Sequence, residues 1–277
     1  GVACCWIDSV PAIFISGQVY LNQTISKTGS RQVGVQEFDI IKMVKSSTKY
    51  AVMVKRADEI KYHLEKAYYL STKGRPGPVW IDIPADIQDK IINENNLKGF
   101  KPKEKRNKNK SLDDKIKKVA KLLSNSARPV LHFGHGVKIA KAEKYLKKLI
   151  NNFKIPFALT WNASDLVESN HPNYVGRPGA FAERGTNFII QSCKLYISIG
   201  SRLPFMVTGY NVKDFARKAK KIMVDIDKNE LNKKRGLKID YKVKEDVKYF
   251  LSQFTKKNKQ NISKEDWLKR CFFWKKK

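Results

Sequence analysis

Residues 128–160, RPVLHFGHGVKIAKAEKYLKKLINNFKIPFALT, decide the fold. The short apolar run 129–133 stops at Gly134-His135-Gly136, residues 139–151 predict a helix, and a second apolar run follows at 156–160. A strand, a glycine turn, a helix and another strand form a βαβ unit, whose strands must be parallel because the helix carries the chain back. The same rhythm extends outward, with helix 112–124 before it and helix 183–191, strand 195–199, helix 211–219 and strand 222–226 after it. Four strands with intervening helices predict a doubly wound, mainly parallel α/β domain. A ligand of such a domain belongs at the carboxyl ends of the strands.

Upstream, alternating α/β order is read again. PAIFIS (11–16) is the pattern of a buried strand meeting a loop at Gly17, and helices are expected over 36–44 and 58–71. In the second of these, Ile60, Leu64, Ala67 and Tyr68 share a face, and Asp58 and Glu59 stand at the positive end of the helix dipole. GRPGPVWIDIPADI (74–87) supplies a turn, a strand at 79–83 and a closing Pro84. These strands are too apolar to leave a face in water. Residues 89–111 are polar and lysine-rich, the composition of a linker. In the tail, Ser263 with Glu265 and Asp266 marks a helix start. Trp267, Leu268, Phe272, Phe273 and Trp274 are too many large apolar groups for a free end, and they call for a partner outside the chain.

The chain has 277 residues and a net charge of +30. Residues 1–90 hold 12 Lys/Arg against 9 Asp/Glu, so the excess sits downstream, most densely at 101–121. A nucleic-acid arm or an anionic-membrane patch would show such a bias. The cations, however, are 45 Lys and only 11 Arg, and no aromatics interleave with the basic cluster as stacking platforms. Solvated surface, with no specific nucleic acid and no membrane, is therefore expected. Cys4, Cys5, Cys193 and Cys271 form neither a CxxC nor a zinc spacing, which fits a reduced cytoplasmic protein; adjacent Cys4 and Cys5, in an apolar stretch, are expected in a core. The opening GVACCWIDSVPAIFISG has neither a basic leader nor about 20 apolar residues, and reads as a start in mid-domain.

Candidate sites follow from position. Gly134, His135 and Gly136 lie where backbone N–H groups hold phosphates, although the loop is not GxGxxG and a plain tight turn has the same spacing. Gly200-Ser201-Arg202 follows the strand LYISI; Arg202 suits a phosphate or carboxylate, or equally an acidic neighbour. Asp225 and Asp227 flank a strand end where an acid takes ribose hydroxyls, or caps the next helix. Gly176-Arg177-Pro178-Gly179 and Gly74-Arg75-Pro76-Gly77 are rigid turns. No metal site, GxSxG, Walker A, HExxH or paired-carboxylate arrangement is present in the sequence.

Five segments carry a resemblance: FISGQV (14–19), GVQEFDIIKMVKSSTKYAVMV (34–54), YHLEKAYYLSTKGRPGPVWIDIPADIQ (62–88), RPVLHFGHGV (128–137) and VTGYN with FARKAKKIMVDID (207–227). Together they resemble thiamine-diphosphate-dependent enzymes of the acetolactate synthase type, nearest to acetolactate-synthase-like members linked to surface-polysaccharide or lipopolysaccharide biosynthesis. The resemblance implies three α/β domains. Residues 1–88 would be the C-terminal part of the pyrimidine-binding domain, 89–111 a linker, 112–255 the central nucleotide-binding-like domain, and 256–277 the lead into a pyrophosphate-binding domain. The family's activating glutamate and its Gly-Asp-Gly…Asn motif for magnesium and diphosphate match nothing in 1–277, so a fragment is implied, inactive alone.

The resemblance implies a 2-oxo-acid decarboxylase or carboligase that uses thiamine diphosphate and Mg2+. A pyruvate-like donor and a carbonyl acceptor would meet in a site built by a homodimer or homotetramer. Gln36, with Gln18 behind it, aligns with family residues near the cofactor and the reacting carbonyl. Where the family commonly has Asp-Ala-Phe-Gln-Glu, this chain has Val33-Gly34-Val35-Gln36-Glu37, and the lost aromatic should change the acceptor pocket. Some family members bind FAD in the central domain, near the positions of Gly134, Gly136, Arg202 and Asp225. The alternatives are an authentic acetolactate synthase of branched-chain amino-acid synthesis, which would retain FAD, and a non-catalytic nucleotide-binding or assembly module.

Overall fold

The computed structural model describes residues 1–25, 28–102, 110–234, 236–258 and 262–276. The chain divides into two compact units, Gly1–Asn107 and Lys108–Lys277. Part of the expected linker, 103–109, lies outside the described residues.

The first unit contains α1 (Val2–Asp8), β1 (Ala12–Gln18), α2 (Ile40–Val44), β2 (Tyr50–Met53), α3 (Ile60–Thr72), β3 (Pro78–Pro84) and α4 (Ala85–Gln88). Its sheet has the order β1-β3-β2 with both pairings parallel. Val54, Ala67, Val79, Ile81 and Ile87 form its small core. The expected helix over 36–44 is only α2, capped by the Asp39 side chain, because 33–38 is a turn in which Gln36 has φ 63°. Strand β2 was not foreseen. The expectation of strands without a wet face fails at β1, where Ile13 is 42% and Ile15 59% exposed. Cys4 is exposed and Cys5 half-buried, so neither is a core residue: α1 buries no side chain completely. Residue Phe100 folds back onto α3, its ring against Tyr62 and Tyr69 and its N–H donating to Glu65 Oε2 at 2.6 Å.

The second unit contains α5 (Lys110–Asn125), β4 (Pro129–Phe133), α6 (Gly136–Ile139), α7 (Glu143–Asn152), β5 (Phe157–Leu159), α8 (Arg184–Ser192), β6 (Leu195–Ile199), α9 (Phe205–Thr208), β7 (Lys220–Asp225), α10 (Lys228–Asn232), β8 (Tyr241–Lys244), α11 (Val247–Lys257) and α12 (Glu265–Lys275). The sheet order is β5-β4-β6-β7-β8, parallel throughout. Mixed α/β architecture with parallel sheets is thus the fold that the strand–helix rhythm predicts.

Both faces of this sheet are covered, as buried parallel strands require. Leu131, Phe133, Ile197, Ile199, Ile222 and Val224 alternate toward a core shared with α5, α7 and α11, and Val130, Tyr196 and Met223 toward one shared with α8 and α12. Helix α5 shows why its segment is helical: Leu112, Ile116, Val119 and Leu123 recur at helical spacing and are all buried.

Four expectations change in this unit. The four predicted strands are five, with β8 added parallel to β7 at the sheet edge. The helix read over 139–151 is broken at Lys141, φ 51°, into α6 and α7. The expected helix 211–219 is a 3-10 turn, Val212–Asp214, because Phe215 and Ala216 are drawn into the core with Ala216 at φ 44°. Part of the tail has its partner within the chain, although Phe273 stays 57% exposed. Helix α12 packs on α8, Trp267 and Cys271 are buried, the Trp267 ring meets Trp274 edge-on, and Trp267 Nε1 donates to Pro129 O at 3.0 Å.

Candidate functional site

The second unit's candidates converge at one sheet edge. In the order β5-β4-β6 the chain goes from β4 to one side and then returns to the other, so the carboxyl ends of β4 and β6 form the topological switch point. Gly134, His135 and Gly136 leave β4 there, and Gly200, Ser201 and Arg202 leave β6 beside them. Gly134 N–H donates to Ile199 O at 2.9 Å and Gly136 N–H to Gly200 O at 3.0 Å. A Cβ on Gly134 would stand 2.2 Å from Gly200 O, and one on Gly136 2.8 Å from Gly200 Cα. Both glycines are therefore demanded by loop-on-loop contact, and their N–H groups are spent inside the protein, not offered to a phosphate.

His135 Nδ1 lies 2.7 Å from Asn162 O. A carbonyl oxygen only accepts, so Nδ1 carries the proton that is donated to it. Gly200 N–H reaches Val224 O at 3.0 Å, which brings Asp225 into the same edge. Asp225 is buried and its Oδ1 accepts from Asp227 N–H at 2.8 Å, while Asp227 caps α10 through Asn229 N–H at 2.8 Å. The Arg202 carbonyl accepts from Lys233 Nζ at 2.7 Å. Exposed aromatics occupy the 3-10 turns Trp161–Leu166, the loop 179–183 and the segment 205–210: Trp161 packs edge-on against Phe181, and Phe205 stacks on Tyr210. Spacing gives no sign of these pairs, whose members lie 20 residues and five residues apart.

Beneath the crevice, His132 is fully buried beside Tyr196, its Nδ1 bonded to the tyrosine hydroxyl and its Nε2 without a partner. Burial holds its pKa down at about 3, so it stays neutral and serves the core. A cavity of about 920 Å3 lies elsewhere, lined by Ile150, Pro172, Leu268 and Phe272 with the Lys154–Glu265 pair, and it holds none of the candidate residues.

In the first unit, Gln18 and Gln36 fall into one neighbourhood at the carboxyl end of β1. Gln18 Nε2 donates to Phe38 O at 2.8 Å and to Asp82 Oδ2 at 3.1 Å, and its Oε1 accepts from Val19 N–H at 3.0 Å. Gln36 is exposed at the apex of the 33–38 turn, and among the described residues its side chain makes no hydrogen bond. Glu37, buried beneath it, braces the turn by accepting from the N–H groups of Ile25 and Val33. At Gly34 a Cβ would come within 2.9 Å of Gln23 O, which explains the glycine in this turn. Sequence reasoning misses Asp82 and Glu37 as site residues, because one is hidden in an apolar strand and the other falls within the expected helix 36–44.

The Gly74–Gly77 turn is structural. Lys49 Nζ donates to the carbonyls of Lys73 and Arg75, at 2.5 and 2.8 Å, and Arg75 Nε donates to Ser9 Oγ at 2.9 Å. Among the described residues no cluster of His, Cys, Asp and Glu could hold a metal, and no helix is long and apolar enough to cross a membrane.

Residues 116–254 match the family described as thiamine pyrophosphate enzyme, central domain. The whole chain is similar to the probable acetolactate synthase large subunit of Methanocaldococcus jannaschii, 32% identical over 289 residues and 46% of that protein. It is 31% identical over 285 residues to the acetolactate synthase large subunit of Cyanidium caldarium, covering 47% of it. Against the acetolactate synthase isozyme 2 large subunit of Escherichia coli, 29% identity extends over 271 residues, 98% of this chain and 46% of the relative. The chain spans a little under half the length of these curated relatives. With half of its residues matched by the family's central domain and its full length by acetolactate synthase large subunits, the chain belongs to the thiamine pyrophosphate enzymes.

Proposed function

We propose that residues 1–277 are part of a thiamine-diphosphate- and Mg2+-dependent 2-oxo-acid decarboxylase or carboligase of acetolactate-synthase-like type. The observation that carries this is the similarity of the whole chain, both units together, to acetolactate synthase large subunits. On this reading residues 1–88 are the C-terminal part of the pyrimidine-binding domain, 112–255 the central domain, and 256–277 the lead toward a pyrophosphate-binding domain. Turnover is assigned to a cytoplasmic homodimer or homotetramer of chains of the relatives' length, and 1–277 alone is expected to be inactive.

The first unit's residues fit such a role. Gln36 offers a neutral carboxamide, donor and acceptor in one group, on a turn braced by Glu37 and by Gln18. A neutral amide orients a carbonyl oxygen without competing for a proton at the reacting carbon. Thiamine diphosphate, when bound, supplies the electron sink that makes loss of carbon dioxide from a 2-oxo acid feasible. This chain's share is orientation: Gln36 Nε2 toward the donor or acceptor carbonyl, and Gln18 holding the turn.

Exposed Val35, where the family commonly has an aromatic, favours an acceptor different from a second pyruvate and supports the lipopolysaccharide-linked subtype over branched-chain amino-acid synthesis. FAD, if the protein takes it, would lie against the crevice of Arg202 and Asp225 with the exposed aromatics as a stacking rim; Gly134 and Gly136 contribute shape there and not donors. The test is to supply the relatives-length protein with thiamine diphosphate, Mg2+ and pyruvate, and to follow carbon dioxide and acetolactate. Carbon dioxide with little acetolactate is expected. Abundant acetolactate would establish the branched-chain enzyme instead, and release of neither would sink the assignment of a pyruvate-like donor.

A further inference from the structure

Asp82 is a carboxylate in the middle of a sheet. It lies on β3, the central strand of β1-β3-β2, opposite Ser16 on one side and Met53 on the other, and is 1% exposed. Burial raises its pKa, and the Asp39 charge pushes the same way, while bonds from Ser16 and Gln18 pull it back. A buried carboxylate is costly, and donors must be aimed at it for the ionised form to persist.

Those donors form a directed chain. Trp80 Nε1–H donates to Ser16 Oγ at 2.8 Å, the Ser16 hydroxyl donates to Asp82 Oδ1 at 2.6 Å, and Gln18 Nε2–H donates to Asp82 Oδ2 at 3.1 Å. An ionised carboxylate only accepts, so it selects the polarity of the amide that faces it. With Nε2 toward Asp82, the amide's second hydrogen reaches Phe38 O and its Oε1 receives Val19 N–H. Flipping the amide would set oxygen against Asp82 and Phe38 O, and NH2 against the Val19 N–H. All three bonds would be lost together.

Phe38 lies two residues beyond Gln36, whose φ of 63° is one that a glutamine adopts only when its surroundings require it. We propose that Asp82 is a positioning residue: its carboxylate fixes the Gln18 amide, which by holding Phe38 O keeps the 33–38 turn closed and Gln36 presented. Its consequence for catalysis rests on the functional reading above; the conformational relay does not.

The relay is tested on the 15N-labelled 277-residue chain by NMR, comparing wild type with Asp82→Asn. In the variant an NH2 or a lone neutral oxygen replaces a charged acceptor. The Gln18 side-chain NH2 resonances are expected to move toward free-amide positions. Backbone amides of 34–38 should exchange about tenfold faster, while those of β3 and α3 keep their protection. A merely structural role would instead loosen β3 and α3 and leave the Gln18 signature unrelated to the turn. If 34–38 exchanges as in wild type with the sheet intact, the proposal is wrong. Should Asp82→Asn fail to fold, Gln18→Met, at the strand end, decides in the same way: release of 34–38 supports the relay and an unchanged turn overturns it. Because conformation is the readout, absence of thiamine-diphosphate-dependent turnover would defeat the functional reading and leave this one standing.

Discussion

The two units use similar strands to different ends. PAIFIS in the first and PVLHF in the second are comparable apolar runs, yet β4 is buried along its whole length while β1 leaves Ile13 and Ile15 in contact with water. The difference lies in what covers them. In the second unit α5, α7 and α11 take one face and α8 and α12 the other, whereas the first unit's core is a handful of side chains gathered under α3. Apolar composition reports that a strand can be buried; helices packed over each face decide whether it is.

The comparison breaks most visibly at α12. Trp267→Ala should cost the second unit about 3–5 kcal/mol, since it removes a buried indole, its ring contact with Trp274 and a hydrogen bond to Pro129 O. Urea unfolding should show that loss in the second unit's transition only, and an unchanged midpoint would mean that α12 is not part of the covering layer. Next in size is Gly134→Ala, where the new methyl meets Gly200 O and the two loops must part; about 1–3 kcal/mol of overpacking is expected, read as a fall in Tm.

A pH titration sharpens the contrast from inside the larger core. His132 has its pKa held down at about 3 by burial, whereas the unfolded chain binds the proton near 6.5. The unfolded state therefore carries more protons in between, so this stability is complete above about pH 6.5 and falls toward pH 3 by up to about 1.4 kcal/mol per pH unit. His132→Gln should flatten that slope in urea midpoints taken at pH 7, 6 and 5; an equal slope would show that the histidine is not buried neutral. Smallest of all, Ile13→Thr and Ile15→Thr should each shift stability by within about 0.5 kcal/mol, because little apolar area leaves water there. A loss of about 2 kcal/mol in the same assay would show β1 to be covered after all.

Much of this was legible in the chain. The strand–helix rhythm of the second unit places β4 and β6 to the residue, and the glycine loop is legible at a strand's carboxyl end. Its purpose was not. Why Gly134 must be glycine depends on Gly200, 66 residues on, and so on β6 being the neighbour of β4. The helix expected over 211–219 gives way where Phe215 turns into the core and meets the Tyr196 ring edge-on. The large groups of the tail were noticed, but their partner, α8, could be found only by folding.

Local pattern alone determined the α/β class, the positions of β4 to β7 but not of β8, and the family's motifs, because period, glycine placement and apolar runs act between residues close in the chain. Tertiary structure decided which strand faces stay wet, where α12 docks and how Asp82, Gln18 and the 33–38 turn are joined. Those contacts link residues from 20 to 138 positions apart, and their energy exists only once the sheet has assembled.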